Sequence, residues 1–335
     1  MCRILLAGAV LGWACTFAQA QIAIARPGII LESQVQLAPG AVSSGGVIVN
    51  PGLSALQKSV QSEWVVSGKV TIEKETVDLP QYPGAPVKTS YKVATIKVDD
   101  VLVGQKTTAL KVLLMPADPA QIPFELPGRV QPYYRPNAGQ IQLIDGQEGV
   151  FFLSKSPQST EYANINYGCA PLNPLDTKYK ENLAAVKKVA ATFTDPVKAL
   201  KAVKAEDRTA AAFAIVSKYR RYPQTVGAQP TQESIPAEES KLIFQAILDA
   251  DWELWDKPQN PGEVRDYQLS PTNLLSQLGI FPGQKGAGAF PQVQPMPGQG
   301  YHAAYKATFK TWLEGDGAKY EIKKFVAAKA PTPKK

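Results

Sequence analysis

Few residues in this chain are equipped for chemistry. His302 is the single histidine, so the chain cannot build a two-histidine zinc site, a histidine pair or an H-E-x-x-H helix. A Ser-His-Asp triad would have to recruit that one ring from the start of an Ala- and aromatic-rich segment. His302 therefore reads as a structural or exposed side chain. No G-x-S-x-G, P-loop or G-x-G-x-x-G motif occurs. Gly283 to Gly288 runs Gly-Gln-Lys-Gly-Ala-Gly but sits in a Pro-rich loop with no strand before it, which makes it a turn rather than a phosphate cradle. These residue types imply neither a cofactor nor a metal, and no catalytic residue is assigned.

Carboxylates are the remaining candidates. Asp249, Asp251, Glu253 and Asp256 surround Trp252 and Trp255, and a glycosidase needs two carboxyls on opposite sides of a sugar beside aromatic platforms. This acidic cluster, Asp249, Asp251 and Glu253, supports the alternative of a carboxylate-dependent hydrolase acting on an envelope glycan. Against it, Asp249 and Glu253 stand one turn apart on the helix expected there, as do Trp252 and Asp256, so a solvated helix end with two half-buried tryptophans is the simpler reading. A calcium loop lacks its glycine. Tyr219-Arg220-Arg221-Tyr222 could clasp an anion through guanidinium forks, or simply end a helix with positive charge before Pro223. Loops offer more. Tyr82 lies in the Pro-rich stretch 78–87, and Tyr133, Tyr134 and Arg135 lie between Pro132 and Pro136, whose rings restrict the backbone and lower the ordering cost of binding. These four are the candidate ligand-binding residues.

The elements that must position them change character midway. From Ser62 to Tyr167 the pattern is β. Trp64, Val66, Val70 and Ile72 alternate with polar residues, and Gly68 interrupts where a barrel strand must coil. Ser90 to Val103 begins with Tyr91 and Val93 in one phase and continues with Ile96 and Val98 in the other, for which a bulge near Ala94 and Thr95 would account. Leu110–Met115, Gln140–Ile144, Gly149–Ser154 and Glu161–Asn166 are the further strands. A short helix, Leu53 to Gln61, precedes them. After Asp176 the period becomes helical. Asp176 or Thr177 caps a helix with Tyr179, Leu183, Val186, Ala190 and Phe193 on one stripe, Asp195-Pro196 opens a second, and Asp207 caps Arg208 to Tyr219. Ile235 to Trp255 follows as one helix, Ser270-Pro271 starts another, and Tyr301, Tyr305, Phe309 and Trp312 share a face before Tyr320, Ile322 and Phe325 close the chain as extended cover. The fold class expected is α+β, an N-terminal OB-like antiparallel β-barrel over 53–168 followed by a C-terminal helical bundle over 176–326, with a flexible basic tail, 327–335.

Met1 to Ala20 reads as a secretory signal peptide, with Arg3, the apolar run Ile4 to Val10 and the cleavage site Ala18-Gln19-Ala20. An extended leader, 21–52, follows, and the product is expected outside the cytoplasm, periplasmic or secreted. No other run approaches the roughly 18 apolar residues of a membrane span. Cys2 and Cys15 leave with the signal, so only Cys169 remains and no internal disulfide can form; Cys169 reads as a small buried hydrophobe. The formal net charge of +7 falls to +6 without Arg3, which favours an anionic surface but falls short of a nucleic-acid signature.

The order of short helix, then Glu63-Trp64-Val65-Val66-Ser67-Gly68-Lys69-Val70, then Tyr91-Lys92-Val93-Ala94-Thr95-Ile96-Lys97-Val98, Val101-Leu102-Val103-Gly104 and Gly149-Val150-Phe151-Phe152-Leu153 resembles the OB-like barrel of netrin-like modules and tissue inhibitors of metalloproteinases. The resemblance covers about a third of the chain. It implies the fold alone, because the N-terminal cysteine and the disulfides on which that family's inhibition depends have no counterpart here. The whole chain also resembles uncharacterised secreted proteins of planctomycete-type bacteria, which implies a location. The function expected is non-catalytic binding or envelope association, with an envelope polymer or protein, an anionic one favoured by the positive net charge, recognised by the barrel loops.

Overall fold

In the computed structural model the described residues are 53–80, 88–116, 141–166, 168–222, 230–260, 265–284 and 289–327. The chain divides into compact units 1–45 and 46–335, and every described residue belongs to the second. The expected signal peptide, the whole of the leader and residues 328–335 of the tail lie outside the described residues. The architecture is mixed: a five-stranded sheet with seven α-helices among the described residues. No described helix is long and apolar enough to cross a membrane.

The sheet comprises β1 (Trp64–Pro80), β2 (Lys88–Val103), β3 (Ala109–Pro116), β4 (Glu148–Lys155) and β5 (Ala163–Ile165). Neighbours run β1-β2-β3-β5-β4, and β4 pairs back with β1 from Trp64↔Leu153 to Lys69↔Glu148, so the sheet closes on itself. All its pairs are antiparallel except β3 with β5, which is parallel. Val66, Val70, Ala94, Ile96, Val112, Phe151, Leu153 and Ala163 fill one core, the face expected from the alternation in β1. Gly68 sits at a register shift. A Cβ there would lie 2.2 Å from the Lys97 carbonyl oxygen, so only glycine permits the close approach of β1 and β2.

Several expectations are corrected. Residues 141–144 form no strand, although Leu143 still turns into the core. Ala94 and Thr95 themselves pair regularly with Ile72 and Thr71, and the irregularity expected near them falls just before Ala94, between Ile72 and Thr76 of β1 and between Tyr91 and Val93 against β3. Burial on two faces adds to the change of phase in β2. Tyr91 and Val93 pack with Leu113 on one face while Ala94 and Ile96 pack on the other, so the strand is buried on both sides there. β4 is also buried on both faces, with Val150 and Phe152 outward and Phe151 and Leu153 inward.

The helices are α1 (Ala55–Val60), α2 (Tyr179–Thr194), α3 (Pro196–Leu200), α4 (Ala205–Tyr219), α5 (Ala237–Leu248), α6 (Pro271–Gln277) and α7 (Tyr301–Glu314). Ser54 and Gln57 form a capping box on α1, Asp195 Oδ1 accepts from the Lys198 N–H at 3.0 Å to cap α3, and Ser270 caps α6. Asp176, Thr177 and Asp207 do not act as caps: the N-cap positions of α2 and α4 are Lys178 and Lys204, and Asp207 instead pairs with Lys188. The single helix expected over 235–255 is broken. Pro236 has extended backbone and is the N-cap of α5, so the helix starts only at Ala237, and it stops at Leu248; ahead of it Thr231–Ser234 forms β6, which pairs antiparallel with β7 (Lys323–Val326).

α4 is buried all round from Ala211 to Val216, as its small, apolar sequence allows. It lies in the core formed with Ile243, Phe244, Ile247, Trp252, Leu274, Leu275, Phe309 and Trp312. Two helices connect this core to the sheet. Ala55 of α1 and Val186 of α2 pack against Val65, Val150 and Phe152 outside the sheet, while Val60 and Val189 of the same helices join the helical core. A long-range hydrogen bond from Gln57 Nε2 to Asp266 Oδ1, 2.8 Å, ties α1 to the helical half.

Candidate functional site

Tyr82, Tyr133, Tyr134 and Arg135 lie outside the described residues. The acidic cluster lies within them and is dispersed. Asp249 is the C-cap of α5; its Oδ2 accepts from Arg208 at 2.7 Å and its Oδ1 from Gln245 at 2.8 Å. Asp251 Oδ1 accepts from the Leu254 N–H at 3.0 Å and so opens the 3-10 turn 253–255, on which Glu253 is exposed. The break after Leu248 removes the one-turn spacing that the sequence suggested. Trp252 is fully buried, with its Nε1 donating to the Ile247 carbonyl at 2.9 Å, while Trp255 remains half-buried.

Asp256 has a different task. Its two oxygens accept the His302 and Ala303 N–H groups, both at 2.9 Å, and Oδ1 lies 3.1 Å from His302 Nδ1, so it caps α7 from 46 residues away. Burial opposes the charge, yet the hydrogen bonds from His302 and Ala303 outweigh it and hold the carboxyl below the usual range. Gly300, the N-cap of α7, is required for this: a Cβ would meet Asp256 Oδ2 at 2.2 Å. The imidazole is thus held as part of a helix start. Trp255 lies 6.5 Å and Tyr301 5.6 Å from it, and Tyr267 packs edge-on to Trp255 at 6.1 Å. Among the described residues no group of three or more His, Cys, Asp or Glu side chains is placed to hold a metal ion.

The four residues of the Tyr219–Tyr222 cluster part company. Tyr219 donates to the buried Glu239 Oε1 at 2.6 Å. Burial lowers the pKa of Arg221, against the opposing pull of Glu63 and Cys169. Cys169 is fully buried, and burial pushes its thiol up to about 11 despite the opposing pull of Lys58 and Arg221, so it is not a ready nucleophile. Tyr222 stacks on Phe325 with ring centroids 4.3 Å apart. Arg220 reaches a cavity. It lines a cleft of about 390 Å³ together with Gln232, Leu278, Lys319, Tyr320, Glu321 and Lys323.

A second, shallower cleft of about 640 Å³ is lined by Arg208, Leu248, Asp249, Ala303, Lys306, Ala307 and Lys310. Asp249 is the only one of the three acidic candidates among its lining residues, and it is already ion-paired there. Its lysines were visible as a pattern, since Lys306 and Lys310 fall one turn apart on α7 beside Ala303 and Ala307. Lys319 and Lys323 had no such signal, because their partner Arg220 is about a hundred positions away in the chain. Comparison with family models, curated proteins and solved structures finds no match to this chain.

Proposed function

We propose that the protein is exported and serves as a non-catalytic binding or envelope-associated protein, its closed sheet an OB-like barrel of the netrin-like and tissue-inhibitor type and its partner an anionic envelope polymer or protein. The observation that carries this reading is the strand order β1-β2-β3-β5-β4 with its single parallel pair, β3 and β5, the arrangement of OB-like barrels that bind polymers through loops. Packing supports it too. Val66, Val70, Ile96, Val112 and Phe151 are buried inside the sheet and Val65, Val150 and Phe152 are buried outside it, so recognition falls to loops, where Tyr82, Tyr133, Tyr134 and Arg135 are the candidates. The hydrolase alternative is the weaker one, since Asp249 is held by Arg208 and Asp251 by a turn. Incubation of the chain from Gln21 with cell-envelope fractions, followed by sedimentation, tests the reading: retention that falls as ionic strength rises is expected.

A further inference from the structure

We propose that the cleft at the C-terminal end of α4 is a binding site for a small phosphorylated molecule, its phosphoryl group read by Arg220, Lys319 and Lys323. These residues differ from the loop residues named above, so the two ideas stand or fall separately.

Three cations converge there from distant parts of the chain: Arg220 is the C-cap of α4, Lys319 ends the 3-10 turn 316–319, and Lys323 opens β7. Among the described residues none of the three has a carboxylate within ion-pair distance. Like charges gathered without a counter-charge repel one another, and an anion in the cleft would relieve that repulsion. Glu321 is the one acid among the described lining residues, and its carboxylate accepts from Ser234 Oγ at 2.6 Å. Three positive charges against one negative leave a surplus of two, which a phosphate dianion matches.

Arg220 is pre-positioned. Its guanidinium lies 4.6 Å over the Phe325 ring, and one N–H group donates to the Lys323 carbonyl at 3.4 Å. Stacking fixes the plane of the fork and leaves its other in-plane donors for a ligand, the geometry that suits bidentate capture of a phosphoryl group. The remaining walls suit an organic body. The Tyr320 hydroxyl is tied to the Leu278 carbonyl at 2.6 Å, so the tyrosine ring and Leu278 form a fixed, largely apolar surface, with the Gln232 amide beside it. The cavity of about 390 Å³ exceeds what a bare phosphate fills and falls within the range of small-molecule sites, roughly 300–1,000 Å³.

Calorimetric titration of the full chain at low ionic strength with glycerol phosphate, inorganic phosphate and glycerol tests this. Both phosphates should bind saturably, glycerol phosphate several-fold the tighter, and glycerol should give no signal. The exposed lysines can be neutralised together without touching the core, so Lys319→Gln/Lys323→Gln should melt with the native protein and bind glycerol phosphate at least tenfold more weakly. Arg220→Lys, which keeps the charge and loses the fork, should also weaken binding. The proposal is overturned by the absence of saturable binding of either phosphate at millimolar concentration, by equal affinity for the two, or by unchanged affinity in the folded double-lysine variant.

Discussion

Glu239 is a carboxylate with 6% of its surface exposed, and the Tyr219 hydroxyl, 2.6 Å away, is its hydrogen-bond donor. Burial pushes the Tyr219 phenol well above its ordinary value, and the bond to Glu239 adds to this. Removing the hydroxyl while leaving the acid in place exposes the full cost of a buried acceptor without its donor. Tyr219→Phe should therefore destabilise by about 1–3 kcal/mol in urea unfolding, and a change below a few tenths would show that water replaces the phenol. This pair was not legible in the sequence, where Tyr219 read as part of a basic helix end and nothing in the spacing joined it to Glu239. Cys169 was legible as a buried hydrophobe, because a small apolar residue between Gly168 and Ala170-Pro171 has little to do but pack.

At the scale of elements, the start of α7 rests on one distant carboxylate. Asp256→Asn keeps the size and loses the charge facing the helix N-terminus; a cost of about 1 kcal/mol is expected. Gly300→Ala should cost at least as much, because its Cβ would displace the same carboxylate, and the double variant should be clearly less destabilised than the sum of the two. The pH dependence has a definite sign. The folded Asp256 carboxyl lies below its ordinary value of 3.8, so its contribution is fully present above about pH 5 and is lost as pH falls through 3.8 and below. Thermal melting from pH 7 to pH 2.5 should show the native protein losing more stability than Asp256→Asn; parallel curves would contradict the capping role.

Elements whose local signals agreed were readable: the alternation in β1, the Asp195-Pro196 and Ser270-Pro271 caps, and the aromatic face of α7. Three kinds of element were not. β2 and β4 are buried on both faces, so alternation fails there. The 235–255 segment keeps a helical apolar stripe past Leu248, but the helix stops there, Trp252 turns into the core and Asp251 opens a new turn. β6 is exposed at every position, Thr231 to Ser234, and owes its existence to pairing with β7 about ninety residues later.

At the scale of the molecule, α1 and α2 each feed both cores, with Ala55 and Val186 against the sheet and Val60 and Val189 against the helices. Two cores sharing two helices should lose structure together. Native-state hydrogen exchange is therefore expected to give the slowest amides of β4 and α4 the same opening free energy within about 1 kcal/mol. Protected β4 amides alongside fully exchanged α4 amides would show that the halves unfold independently. The candidate sites differ in the same respect: the loop tyrosines stand out in local sequence, whereas the Arg220 cleft brings together Gln232 of β6 and Lys323 of β7.

The proposed recognition through the loops of the sheet is checked by pairing retention with melting in Tyr134→Ala/Arg135→Ala. Surface changes usually leave stability within about 1 kcal/mol, while removal of an aromatic and an arginine anchor removes much of an interface's energy. The native chain from Gln21 should sediment with the envelope fraction, and the variant should melt within that margin and stay in the supernatant. Retention of the variant at the native level, or failure of the native chain to be retained at all, would rule out recognition through these loops.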